Sequence, residues 1–121
     1  MKPIVILVTA FALFASSAQA GDRLTVETAL TDTASQASSD MTAAVEAFKA
    51  DDSTTGCAKL ILARDGMVKA LDLVAEDKVL VEADTTTSAE SHQQDLNDLS
   101  KMQDEFINLR DRMTVQLDKR C

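Results

Sequence analysis

The chain has 121 residues, with 20 acidic against 12 basic side chains and a formal net charge of −8. That balance argues against nucleic acid or anionic lipid as a partner, since both need Lys and Arg to displace counterions. With no Trp, no Tyr and a single Pro, the chain is poor in the aromatic anchors of many ligand pockets and in the turn residues of β-rich domains.

The N-terminus reads as an export signal. Met1-Lys2-Pro3 is a short, positively charged start, 4–14 is an eleven-residue run that is apolar apart from Thr9, and small residues follow, ending Ala18-Gln19-Ala20. These are the three regions of a secretory signal peptide. As a helix the apolar run spans about 16 Å, too short for a hydrocarbon core of about 30 Å. Cleavage is expected between Ala20 and Gly21. No Cys follows the run, so no lipid anchor is expected. The mature chain, 21–121, is then a single domain without stable membrane insertion, located in the periplasm or secreted. Without Lys2 it keeps 11 basic against 20 acidic residues, a charge of −9.

The mature chain has no Pro, and Gly only at 21, 56 and 66. Long helices follow from that composition. The first is expected over about 23–50, where Leu30, Ala34, Ala37, Met41, Val45 and Phe48 recur at steps of three and four. Its other positions are rich in Thr and Ser, which are mediocre helix formers. The segment 51–56 is a break, with Ser53 or Thr54 as the cap of the next helix. That helix is expected over about 55–81, with Cys57, Leu60, Ala63, Met67, Leu71 and Val74 as its stripe, widened by Ile61, Val68 and Ala75. Gly66 lies inside it and costs about 1 kcal/mol relative to Ala, a cost that a close helix contact would explain. A capping box, Thr87 with Glu90, opens the third helix over about 88–119. Its stripe is Leu96, Leu99, Met102, Phe106, Leu109, Met113 and Leu117.

The fold class expected is all-α: an antiparallel, up-down-up three-helix bundle with coiled-coil-like packing. In that topology the start of helix two and the end of helix three share one end, which brings Cys57 near Cys121. An exported chain meets an oxidising compartment, so a disulfide is expected, within one chain rather than between two. The helix lengths from these cysteines to the opposite connection differ, about 37 Å against about 50 Å. The third helix is therefore expected to bend, start late or fray.

No catalytic group stands out. His92 is the sole histidine, with Asp95 one turn on and Glu90 nearby, but a catalytic zinc takes three protein ligands. Ala89 occupies the place of the Glu in a Glu-x-x-His di-iron motif. The run from Asp51 to Gly56 begins like a calcium loop, but its twelfth place is Leu62 rather than Glu. Met41, Met67, Met102 and Met113 lie on the stripes and read as core filler rather than haem ligands. No metal and no cofactor are expected.

The functional expectation is a non-enzymatic protein-binding or adaptor module, with Leu30, Ala34, Ala37 and Met41 of helix one as the contact face and self-association among the possibilities. The alternative is a periplasmic ligand carrier or chaperone-like protein. An enzyme or metalloprotein built on His92 ranks last.

Overall fold

A computed structural model describes residues 20–121. Apart from Ala20, the expected signal peptide lies outside the described residues. Three helices follow in order: α1 (Ala20–Lys49), α2 (Ser53–Ala83) and α3 (Ala89–Arg120). There is no strand among the described residues. α2 packs against both α1 and α3, and no comparable backbone approach joins α1 to α3.

The start of α1 meets the end of α2 and the start of α3 through Arg23, Asp77 and Asp95. At the other end the last turn of α1 packs on the first turn of α2. A methyl group added at Gly56 would fall 2.7 Å from the Phe48 ring. There, too, Cys57 is bonded to Cys121, with Cα atoms 6.0 Å apart. The third helix reaches this bond without fraying: α3 is continuous to Arg120. The excess length falls at its start, where none of the residues 89–94 is buried.

The buried positions of α2 step by four and three without a break: Gly56, Leu60, Ala63, Met67, Ala70, Val74, Asp77 and Val81. In α3 the same rhythm gives Asp95, Leu99, Met102 and Phe106, then Met113 and Leu117. This is the spacing of a coiled-coil seam. The outer members of the expected α2 stripe face solvent instead, with Ile61 42% and Val68 43% exposed. Toward the end of α1 it is Ala44 that joins the core, while Val45 is 40% exposed.

Side-chain size sets how closely the helices approach. α1 offers α2 mainly methyl groups, from Ala34, Ala37 and Ala44. Gly66 lies against Ala37, close enough that a Cβ on it would come within 2.9 Å of the Ala37 Cβ. α3 contributes larger groups, Leu99, Met102, Phe106 and Met113.

The connections are tight. Asp51 adopts a left-handed φ of 59°. Around it, the Asp52 N–H donates to the Ala47 carbonyl at 2.9 Å and the Asp51 N–H to the Phe48 carbonyl at 3.1 Å. That pair of bonds is a Schellman ending. The helix caps lie one residue away from those expected by sequence. Asp52, not Ser53 or Thr54, caps α2 by accepting from the Thr55 N–H at 3.2 Å. Ser88, not Thr87, caps α3 by accepting from the Ser91 N–H at 3.1 Å.

Candidate functional site

Two regions depart from an ordinary apolar core. The first is a buried charge layer at the Arg23 end. The Arg23 guanidinium donates to Asp77 Oδ1 at 3.3 Å, to Asp95 Oδ2 at 3.3 Å and to Glu27 Oε1 at 3.2 Å. One cation thus serves carboxylates from all three helices, and every one of these side chains is at most 5% exposed. Asp77 Oδ2 and Asp95 Oδ1 are buried without a hydrogen-bond partner among the described residues.

Burial, followed by the Asp77 charge, pushes the Glu27 carboxyl up to about 8 despite the opposing pull of Arg23. Burial also raises Asp77 and Asp95, again against Arg23. Near neutral pH Glu27 therefore keeps its proton, because three ionised carboxylates around one guanidinium in a dry layer would be strongly unfavourable. With its donors directed at three carboxylates inside the core, Arg23 acts as a structural tie.

The second region is a groove of about 690 Å³ between α1 and α3 at the disulfide end. Met41, Ala44, Val45 and Phe48 of α1 line one side, Leu60 of α2 the floor, and Val115 of α3 the other side. Its polar rim carries Lys49, Arg112 and Arg120, with Asp111 and Gln116 beside them. A smaller extension of about 330 Å³ continues along the same seam, past Ala37, Met41 and Val45 to Leu109 and Met113. Together they follow 37–49 of α1, about 18 Å or three turns of helix.

The groove exists because of the residues that fail to close it. Ala44 offers only a methyl group, whereas α3 is held against α2 by the disulfide. That bond closes a loop with a sequence separation of 64, an entropic restraint of about 4 kcal/mol on the unfolded chain. It also fixes the last turn of α3, where the Arg120 guanidinium lies 5.1 Å over the Phe48 ring and donates to Gln116 at 2.9 Å. Asp111 is already engaged by Arg110 at 3.0 Å. Lys49 and Arg112 are exposed at the rim.

The contact face expected on helix one is mostly internal. Leu30, Ala34 and Ala37 are at most 2% exposed and belong to the core. They are spent on packing within the chain: Leu30 fills the core, and the small Ala34 and Ala37 let α1 approach α2 closely. Met41 alone of the four lines the main groove, and Ala37 touches only its extension. The Cys57–Cys121 pair is brought together. Asp95 is hydrogen-bonded to Arg23, while His92, half-buried in the first turns of α3, acts on Asp95 only weakly, through charge. Among the described residues no three His, Cys, Asp or Glu side chains converge to hold a metal ion. Nor is any helix there long and apolar enough to cross a membrane.

The outer face of α2 carries Ile61, Val68 and Val79, all exposed. Asp65 and Asp72 interrupt that stripe, and it has no walls. The groove is the better candidate for binding. No protein-family model matches the chain, and neither the curated proteins nor the solved structures give a significant match.

Proposed function

We propose that this protein is an exported, non-enzymatic binding module whose α1/α3 groove receives an amphipathic helix of a protein partner. The observation that carries this reading is the groove itself, apolar at its floor, walled by two helices and open to solvent along about three turns. Laying the apolar face of a helix into such a trough is a recurrent mode of protein recognition. The incoming helix would keep its own polar face toward water, which suits an open-sided site. Export is supported by the charged start, apolar run and Ala18-Gln19-Ala20 ending, and by a disulfide suited to an oxidising compartment.

The ligand-carrier reading draws on the same groove, whose volume falls within the range of about 300–1,000 Å³ common for small-molecule sites. Such sites, however, bury most of the ligand's surface, and this trough leaves one side wet.

The test is fluorescence anisotropy with a labelled, uncharged amphipathic helical peptide bearing a Leu stripe. Val45→Glu places a charge on the groove wall and is expected to abolish binding. Val79→Glu, on the outer face of α2, is expected to leave it intact. No binding by the unmodified protein, or equal loss in both variants, would contradict the proposal.

A further inference from the structure

From the charges around the groove, we infer that its occupant is an acidic amphipathic helix: an apolar stripe flanked by Asp or Glu. This rests on the groove reading and adds the partner's chemistry to it. The chain as a whole is acidic, at −8, yet Lys49, Arg112 and Arg120 gather on one rim. Two carboxylates belong to the same seam. Asp111 is paired with its own neighbour Arg110 at 3.0 Å, and Glu46 lines only the smaller extension. The main groove therefore presents three cations against one paired carboxylate beside an apolar floor.

Lys49 and Arg120 lie in the last turns of their helices, where they also complement the helix dipoles. Arg112 lies two turns before the end of α3 and has no such role. Arg120 is held in place over Phe48 and by Gln116, so little ordering remains when a carboxylate meets it. At physiological salt, charges more than about 8 Å apart are screened. The local rim thus outweighs the overall negative charge of the chain once the helix is seated.

Three peptides test the inference on the purified, disulfide-bonded protein. They share one Leu stripe and differ only in flanking residues: Glu, Gln or Lys. The Glu peptide is expected to bind about tenfold more tightly than the Gln peptide, with the Lys peptide weakest. The advantage should shrink in high salt. It should also vanish in the double variant Lys49→Gln with Arg112→Gln, which still binds the Gln peptide. Both residues are exposed, and a thermal melt matching the unmodified protein establishes that the variant folds.

Equal affinity for the Glu and Gln peptides, or a preference for Lys, would overturn the acidic partner and leave the groove reading standing. Failure of all three to bind would remove both. Sedimentation of the protein alone supplies the remaining arm: a dimer dispersed by the peptides would assign the groove to a second copy and overturn the inference.

Discussion

At the Arg23 end, charge ties three helices together in a dry layer; at the Cys57 end, a covalent bond ties two of them beside an open apolar trough. The charge layer is shielded from solvent, though Asp77 Oδ2 and Asp95 Oδ1 keep no hydrogen-bond partner among the described residues. Its guanidinium is directed at three carboxylates, and the side chains around it are buried. The groove end leaves apolar surface in water, with Val45 40% and Val115 47% exposed. A bundle can thus be closed by residues that would be poor core material, and left open by residues that would be good core material. What decides is whether the groups that meet on the seam cover each other from solvent.

The largest effect that separates the two ends should come from Arg23→Met. It leaves the buried Asp77 and Asp95 carboxylates, and the protonated Glu27 beside them, without their cation, and breaking a buried ion pair in this way costs about 3–5 kcal/mol. Urea denaturation near neutral pH measures it, and acidification should restore part of the loss by protonating the carboxylates. A cost below about 1 kcal/mol would mean that water reaches the layer.

Next comes the disulfide. Replacing both Cys57 and Cys121 by Ser should lower stability by about 2–4 kcal/mol. It should also loosen the end of α3, so that affinity for a helical peptide falls. Unchanged peptide binding would separate the groove from the clamp.

The pH dependence sharpens the contrast further. Glu27 is raised from 4.5 to about 8, so the folded state keeps a proton that the unfolded chain has released. Its contribution to stability is fully present below pH 4.5 and is lost as pH rises through about 8. The loss is at most about 1.4 kcal/mol per pH unit for one proton. The raised Asp77 and Asp95 act in the same direction. Denaturation midpoints should therefore rise on mild acidification, and Glu27→Gln should flatten the slope. A midpoint that falls steadily from pH 8 to pH 5 would show the opposite sign.

The smallest effect concerns the contact between α1 and α2. Gly66→Ala gains about 1 kcal/mol of helix propensity. Its Cβ, however, meets the Ala37 Cβ at 2.9 Å, a group rigidly tied to backbone, and overpacking costs about 1–3 kcal/mol. A net loss of about 1 kcal/mol is expected in a thermal melt. A gain would show that the two helices separate freely.

The helices and their bundle were legible because the apolar spacing is strong, above all in α3, where Leu99, Met102, Phe106, Met113 and Leu117 are all buried as expected. The cysteine pairing followed from topology. The charge layer was missed because a search for apolar periodicity passes over Arg23, Glu27, Asp77 and Asp95. A signal was present: continuing the four-three steps from Leu30, Val74 and Leu99 lands on charged residues on all three helices at one end. The groove was invisible for a different reason. It depends on Ala44 being too small to close a seam that Val45 borders, and small and large apolar residues count alike in a periodic pattern. For the same reason the expected contact face fell on Leu30, a large core residue, and on Ala34 and Ala37, whose smallness lets α1 approach α2.

The most direct test is an NMR titration of the amide signals with the acidic amphipathic peptide. Shifts confined to residues along the seam, such as Met41, Val45, Phe48, Leu109 and Val115, with the amides of Arg23, Asp77 and Asp95 unmoved, are expected. Shifts centred on Ile61, Val68 and Val79, or spread evenly over all three helices, would contradict the groove as the binding site.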